Sequence, residues 1–174
     1  METSDLWFYD CLNLTFRSVV PKNPISVKIC FWCYCDLVTI VDRVSKFTLI
    51  KKVDNKHAEV VTAATISLLQ PYYLDKTLTI TADNGKEFAG HETIKEQLSA
   101  NVYFAHPYCS WERGLNENTN GLIRQYFTKG SSFENITDDE VEAVMNKLNH
   151  RPRKTLKFKT PHTVFFADTL QEAP

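Results

Sequence analysis

Two acidic residues in the middle of the chain, Asp83 and Glu117, have the surroundings that metal-dependent chemistry requires. Asp83 follows a β-type run at residues 79–82 and precedes the turn pair Asn84-Gly85, and Glu117 lies in a helical stretch with 33 residues between the two acids. An acid that ends a strand and an acid on a later helix converge on one divalent ion when strand and helix pack together. Two carboxylates with few other protein oxygens suit Mg²⁺, which keeps several waters and leaves room for substrate phosphates. These residues therefore indicate phosphodiester chemistry carried out by metal ions.

Three stretches around these acids resemble the catalytic core of bacterial insertion-sequence transposases. They are Asp-Asn-Gly-Lys-Glu-Phe at residues 83–88, His-Pro-Tyr-Cys-Ser-Trp-Glu-Arg-Gly at 106–114 and Asn-Glu-Asn-Thr-Asn-Gly-Leu-Ile-Arg-Gln-Tyr at 116–126. The chain resembles in particular the group named after insertion sequence thirty, and Leu-Asn-His-Arg-Pro-Arg-Lys-Thr-Leu at 148–156 extends that resemblance. The similar region covers residues 37–166, and the spacing of the acids inside matching words makes the resemblance specific.

The resemblance implies a ribonuclease-H-like domain of the retroviral-integrase type with an Asp, Asp, Glu triad. Intact members of the group cut DNA at the ends of a mobile element and join the freed 3′-hydroxyl to target DNA with Mg²⁺ (or Mn²⁺). Asp83 and Glu117 match the second and third acids, so they are predicted as catalytic residues and metal ligands. The implied partners are element-end and target DNA and further copies of the chain, without a membrane. The implied location is the bacterial cytoplasm, in association with the nucleoid.

The first acid of the triad has no acidic match in this chain. In the group it lies on the opening strand, roughly 17 to 19 residues before the serine that matches Ser45. Counting back in this chain reaches three residues without a carboxylate, Ser26, Val27 and Lys28. Asp42 matches a position that is often acidic without belonging to the triad. Asp36 is therefore the best substitute for the missing acid, and it is the third predicted catalytic residue.

Residues 1–36 differ from the rest of the chain, because they do not match the group and contain four of the five cysteines. The break in resemblance, the excess of cysteine and the missing acid support the hypothesis of a truncated or frame-disrupted transposase gene product. An alternative function is an inactive remnant that acts only as a DNA-binding or dimerising module. A stand-alone ribonuclease-H-like nuclease is a third alternative, which shares the metal chemistry but not the Asn149-x-Arg151-Pro152-Arg153 word.

The cysteine spacing Cys30-x-x-Cys33-x-Cys35 has two interpretations. It is compatible with part of a zinc knuckle, but a structural zinc site needs four ligands, usually as two spaced pairs. No second Cys or His pair of fitting spacing follows nearby. Reduced thiols on a buried strand are therefore the favoured interpretation.

Polar residues around Glu117 are the first set of predicted DNA contacts. They lie at three- to four-residue steps along the helix, where side chains share a neighbourhood, and they are Asn116, Asn120 and Arg124. The alternative is a solvated helix face. Asparagine is a poor helix former, however, and three of them within residues 116–120 are not a choice that helix propensity favours.

A basic segment at residues 147–159 provides the second set of predicted DNA contacts. It carries six basic residues and no acid, which suits contact with the phosphate backbone. The residues chosen from it are Arg151, Arg153 and Lys154. The alternative is a solvated helix end and loop. Lys157 occupies a position that is usually glycine in the group.

The composition describes one globular domain. At 174 residues, with 43% hydrophobic and 24% charged residues, the chain is long enough for a sizeable core. The net charge of −1 means that any DNA affinity must come from local patches. No apolar run is long enough for a spanning helix, and the N-terminus lacks the pattern of a signal peptide. The cytosol is the expected location.

The hydrophobic periodicity predicts an α/β fold: a mixed sheet with three antiparallel strands first, flanked by helices. Strands are predicted at residues 25–34, 37–42, 47–53, 78–82 and 102–105. Helices are predicted at 58–69, 93–99, 111–127 and 138–148, followed by a short helix or coil from Pro161. The predicted organisation is a divergent N-terminal segment that holds the first strand, a catalytic core and a tail, with boundaries at 1–36, 37–168 and 169–174.

Overall fold

A computed structural model describes residues 25–32, 36–106, 110–127 and 136–167. The five strands in chain order are β1 (Ile25–Trp32), β2 (Leu37–Asp42), β3 (Thr48–Lys52), β4 (Thr77–Ala82) and β5 (Asn101–Phe104). The helices are α1 (Ala58–Lys76), α2 (His91–Leu98), α3 (Ser110–Ile123), α4 (Asp138–His150) and α5 (Pro161–Phe166). Within the described residues, no helix has the length and apolar character needed to cross a membrane.

The strands form one mixed sheet in the order β3-β2-β1-β4-β5. Strands β1, β2 and β3 pair antiparallel, whereas β4 lies parallel to both β1 and β5. The predicted fold class, with three antiparallel strands first and helices flanking the sheet, is confirmed. The central strand, β1, comes from the divergent segment, whose residues 1–24 and 33–35 lie outside the described part of the chain.

The two faces of the sheet are covered by different helices because side chains alternate along each strand. Val27, Ile29 and Ile80 pack into the larger core, which also contains residues of α1 and α2. On the opposite face, Leu37 and Ile50 pack with the end of α3 and with α4 in a second core. The residues of β1 that lie between the core positions therefore face α3.

An asparagine side chain completes the edge of the sheet. Asn149, near the end of α4, accepts a hydrogen bond from Thr48 N at 2.8 Å and donates one to Thr48 O, also at 2.8 Å. Asn149 is almost fully buried. Because β3 is an edge strand, this amide satisfies backbone groups that have no neighbouring strand. The asparagine of the Asn149-x-Arg151-Pro152-Arg153 motif therefore has a structural role at the edge of the sheet.

The end of α1 differs from the prediction. The helix was expected to end near Leu69 because Pro71 follows, but it continues through Pro71 to Lys76. Proline removes one backbone donor from a helix, which weakens it without always ending it. Tyr72 packs against the rings of Phe47, at 5.9 Å between centroids, and Phe165, at 5.5 Å. This packing stabilises the helix just beyond the proline.

The other helix ends lie near their predicted positions. Helix α3 ends at Ile123 rather than Phe127, because the chain tightens into a turn in which Tyr126 N bonds to Ile123 O at 3.0 Å. A capping box precedes α4, in which Thr137 and Glu140 satisfy each other's backbone N–H groups. Of the alternatives for the residues from Pro161, the short helix is correct.

Candidate active site

Asp83 lies at the end of β4, next to the central strand. The parallel register places Lys28 of β1 opposite Thr81 of β4, so two residues further along Cys30 lies beside Asp83. Two bonds hold the turn after β4 against the end of β5: Ala105 N donates to Ala82 O at 2.8 Å, and Asn84 Nδ2 donates to Ala105 O at 2.7 Å. The Asp-Asn-Gly word therefore fixes the position of the carboxylate.

Cys30 connects Asp83 to helix α3. The Cys30 thiol donates to Asp83 Oδ2 at a sulfur–oxygen distance of 3.8 Å, and Asn120 Nδ2 donates to Cys30 Sγ at 3.8 Å. The Thr39 hydroxyl donates to the carbonyl oxygen of Cys30 at 3.2 Å and lies 3.5 Å from Asn120 Oδ1. We call Cys30, Thr39, Asp83 and Asn120 the polar cluster. It joins β1, β2 and the end of β4 to α3 on the face of the sheet opposite the larger core.

Glu117 lies on α3 three residues before Asn120, within one turn of the polar cluster. Helix α3 packs on β1 and β2, and the Glu117 side chain is exposed at the edge of this contact. Asp83 and Glu117 therefore lie on the same side of the sheet, with the polar cluster between the strand and the helix. The convergence of the two carboxylates on one ion stays a prediction.

The three predicted DNA contacts around Glu117 differ in their exposure to solvent. Asn116 and Asn120 are only 6% and 8% exposed, because they lie on the side of α3 that faces the sheet. Burial makes them unsuitable as DNA contacts, and Asn120 instead positions Cys30. Arg124, in the turn after α3, is exposed and stays a predicted contact.

Asp36 is held away from the polar cluster. It lies in the turn between β1 and β2 with a left-handed φ of 43°, and its carbonyl oxygen accepts a hydrogen bond from Val53 N at 2.8 Å. In the described part of the chain, no three His, Cys, Asp or Glu side chains are grouped closely enough to hold a metal ion. This placement does not support Asp36 as the missing triad acid.

The three candidates for the first triad acid that were reached by counting back from Ser45 do not include Cys30, the residue beside Asp83. Val27 points into the larger core, on the wrong face of the sheet. Ser26 and Lys28 lie on the face of Cys30, but they pair with Thr79 and Thr81, before the end of β4. Cys30 is 15 residues before Ser45. The count misses Cys30 because it assumes a longer connection between β1 and β2.

The side chains in and beside the polar cluster differ in how well they suit a divalent ion. The carboxylates of Asp83 and Glu117 are hard oxygen ligands that suit Mg²⁺ or Mn²⁺. The Cys30 thiol is a soft group that does not suit Mg²⁺. Cys33 and Cys35 of the zinc alternative lie outside the described residues. The chain therefore has carboxylates at two of the three positions that the resemblance implies, and a thiol beside Asp83.

A basic surface lies where the ends of α3 and α4 meet. Arg151 Nη1 donates to Gln125 Oε1 at 3.4 Å, and Lys147 Nζ lies 5.7 Å from the centroid of the Tyr126 ring. We call Arg124, Lys147 and Arg151, all exposed, the basic surface. These contacts place basic residues from both predicted sets of DNA contacts close together. The sequence alone had not predicted this, because the two sets lie in separate segments.

Arg153 and Lys154, also predicted DNA contacts, have different surroundings. Lys154 is exposed. Arg153 is half-buried and donates through Nη2 to the carbonyl oxygen of Leu148 at 3.3 Å. Burial, and then the nearby charge of Arg151, lower the pKa of the Arg153 guanidinium. Arg153 therefore stabilises the end of α4, and a contact with DNA is better supported for Lys154.

The loop after Arg153 explains why glycine is usual at position 157 of the group. Lys157 and Phe158 have left-handed φ angles of 54° and 65°. The loop closes through Phe158 N to Arg153 O at 2.9 Å and Arg153 N to Lys159 O at 3.0 Å. Such φ angles favour glycine, which has no Cβ to crowd the backbone. The chain keeps the turn although Lys157 replaces glycine.

The fold is that of a retroviral-integrase catalytic core. The structure matches the catalytic core domain of BIV integrase with a TM-score of 0.67 and 16% identity, over 86% of this chain and 99% of that one. No family model matches the chain.

The chain is similar in sequence to insertion-sequence transposases, which confirms the predicted resemblance. It is 48% identical over 131 residues to the transposase of IS4351 from Bacteroides fragilis, covering 74% of this chain and 39% of that protein. It is 44% identical over 130 residues to transposase InsI of IS30A from Escherichia coli K12, covering 74% and 33%. The chain thus spans between a third and two fifths of the length of these relatives.

Proposed function

We propose that the chain is the catalytic-core portion of a DNA transposase, which cuts DNA at the ends of a mobile element and transfers the cut strand to a target. One observation carries this proposal: Asp83, at the end of β4, and Glu117, on α3, lie on the same side of an integrase-type sheet. The identity of 48% and 44% to two transposases over about 130 residues supports the same function.

Asp83 and Glu117 are the proposed ligands of a divalent ion, Mg²⁺ or Mn²⁺. Such an ion supplies charge neutralisation and in-line orientation at a phosphodiester. The chain's own contribution is position: the backbone bonds of Ala105 and the Asn84 amide hold the turn that carries Asp83. The rigid placement of a carboxylate on a strand end is what catalysis by orientation requires.

DNA is the proposed partner, bound through the basic surface of Arg124, Lys147 and Arg151, with Lys154 beside it in sequence. These exposed cations suit the phosphate backbone, which positions a duplex without reading its sequence. The resemblance further leads us to propose a homo-oligomer and a nucleoid-associated location in the bacterial cytoplasm. The domain boundaries at residues 37 and 168 belong to the same proposal.

A second candidate function is a transposase remnant that binds DNA or dimerises without cutting. The placement of Cys30 favours it, because a thiol and not a carboxylate lies beside Asp83. Asp83 and Glu117 would then bind metal too weakly to support strand cleavage. The chain would keep the basic surface and the fold.

Plasmid nicking in Mn²⁺ separates the two functions. A working core nicks supercoiled DNA, and Asp83→Asn and Glu117→Gln each lower the rate by about 10²-fold or more, because each removes an ion ligand that orients the reaction. Asp36→Asn is the matched control, since it neutralises an acid outside the polar cluster and should leave the rate unchanged. Equal nicking by Asp83→Asn and the unaltered chain would contradict the proposed active site.

DNA affinity tests the remnant directly. If the folded chain does not nick DNA, the second function predicts duplex binding that weakens steeply with salt, because cations release counterions from phosphates. Arg151→Ala should lower that affinity several-fold and reduce the salt dependence. Absence of nicking, DNA binding and dimerisation from folded protein would exclude both functions.

A further inference from the structure

We infer that Cys30 occupies the metal-facing position of β1, so that in this chain a thiol stands where a third carboxylate would complete the ion site. The inference deepens the proposed function and depends on it, because it assigns the missing ligand position of the same site. It also changes the candidate for the first triad position. Position 30, which is fixed by contacts, replaces both Asp36 and the three residues reached by counting back from Ser45.

The register of the sheet carries the first part of the inference. Cys30 lies opposite Thr39 of β2, and the parallel pairing of Lys28 with Thr81 places it beside Asp83 on the other side. Val27 and Ile29 point into the larger core, so Cys30 points toward α3. A side chain at position 30 therefore reaches both Asp83 and α3.

The contacts of the thiol carry the second part. Its sulfur lies 3.8 Å from Asp83 Oδ2 and 3.8 Å from Asn120 Nδ2. An aspartate is about one bond longer than cysteine at this position, so its oxygens would reach the space beside Asp83. Asn116, one turn before Asn120, keeps a buried side-chain oxygen that accepts no hydrogen bond within the described structure. An ion with bound waters would supply donors on this side of α3.

The chemistry of the thiol explains why the site is incomplete. Mg²⁺ and Mn²⁺ prefer oxygen ligands, and the number of charged oxygens sets how tightly a site binds them. A neutral thiol adds no charge, and its weak S–H donor fills the space next to Asp83. The unaltered chain should therefore bind these ions weakly, through two carboxylates. Cys30→Asp should convert the pair into a three-carboxylate site.

The test is metal binding by the purified full chain, read from the rise of Tm with Mn²⁺ concentration. An ion that binds only the folded state raises Tm as its concentration passes Kd. We expect Cys30→Asp to bind Mn²⁺ at least about tenfold more tightly than the unaltered chain, since ligand charge controls affinity. Adding Asp83→Asn to Cys30→Asp should abolish the gain. Equal affinity of Cys30→Asp and the unaltered chain would overturn the inference.

Lys28→Asp is the matched positional control, because it places the same acid on the same strand face two residues earlier. It should not raise Mn²⁺ affinity. If Lys28→Asp gains affinity and Cys30→Asp does not, position 28 is the metal-facing one and the inference is wrong. The readout is independent of DNA cleavage, so failure of nicking by the unaltered chain leaves this test intact.

A disulfide measurement covers the case in which Cys30→Asp does not fold. In Asp83→Cys, mild oxidation should join Cys30 to the thiol introduced at position 83, because the two positions are neighbours on parallel strands with side chains in contact. Peptide mass spectrometry identifies the pair among the other cysteines. Pairing of the introduced thiol with Cys33 or Cys35 instead would overturn the placement of Cys30.

Discussion

The two faces of the sheet hold different kinds of residue. The core under α1 and α2 is mainly apolar, with Val27, Ile29 and Ile80 among its buried residues. The face under α3 and α4 has a smaller apolar core and, beside it, the polar cluster with Asp83. On the face under α1 and α2, apolar substitutions that keep the side-chain volume are tolerated best. The face under α3 and α4 depends on the hydrogen-bonding atoms of the polar cluster.

This difference shows where a departure from the group matters. A substitution in the apolar core is felt as lost stability, because packing and burial are its only roles. A substitution on the α3 face changes ligands and hydrogen-bond partners. Cys30 is half-buried, and the consequence of a thiol at this position falls on the proposed ion site. A chain can thus keep the fold of a catalytic core and lose a ligand.

The largest expected effect on stability comes from the apolar face. Ile80→Ala removes a fully buried side chain and should lower the free energy of unfolding by about 2–5 kcal/mol. Asp83→Asn, three residues later, should lower it by less than about 1 kcal/mol, since Cys30 can still donate to the new amide oxygen. Urea unfolding of both variants checks the contrast. A larger loss in Asp83→Asn than in Ile80→Ala would show that the polar cluster holds the fold together.

A smaller effect is expected at Asn149, whose side chain on α4 supports the sheet edge. Asn149→Ala removes two hydrogen bonds of 2.8 Å with Thr48 and should lower the free energy of unfolding by about 2–3 kcal/mol. Asn149→Asp keeps the shape and the acceptor but replaces the donor with a carboxylate oxygen that faces Thr48 O and buries a charge, so it should not restore the stability. Amide hydrogen exchange should show faster opening at Thr48 in Asn149→Ala. Unchanged exchange there would mean that the amide is not what holds the edge.

The smallest expected effect is a gain in stability, and it concerns the loop after Arg153, which belongs to neither face of the sheet. Lys157→Gly relieves a left-handed φ of 54° and should raise the free energy of unfolding by about 0.5–1 kcal/mol. Lys154→Gly is the contrast, because Lys154 lies in a right-handed helical turn and its loss to glycine should destabilise. Thermal unfolding measures both. Destabilisation by Lys157→Gly would show that the lysine side chain makes contacts that offset the strain.

The sequence was sufficient for the apolar face and for the strand end and helix that carry Asp83 and Glu117. Alternating apolar residues predict the strands, and the Asp83 and Glu117 words predict a strand end and a helix that converge. Position 30 could not be found by counting, because the length of the β1–β2 connection is set by strand pairing. The burial of Asn116 and Asn120 was also hidden, since the face of a helix toward its sheet follows from tertiary packing.

The bounds of α1 and the role of Arg153 required the structure for a similar reason. Pro71 is a local signal for a helix end, and the packing of Tyr72 with Phe47 overrides it. Arg153 has the composition of a DNA contact, but the carbonyl group at the end of α4 captures it. In both cases a long-range contact decides between alternatives that residue types leave open.

The most direct measurement is the rate of plasmid nicking in Mn²⁺ by Cys30→Asp, compared with the unaltered chain and with Cys30→Asp combined with Asp83→Asn. If the chain is a transposase core whose site lacks one carboxylate, Cys30→Asp nicks at least about tenfold faster than the unaltered chain. Adding Asp83→Asn then removes the activity. Folded Cys30→Asp that binds Mn²⁺ tightly and still nicks no faster than the unaltered chain would contradict a DNA-cutting site between β1, β4 and α3.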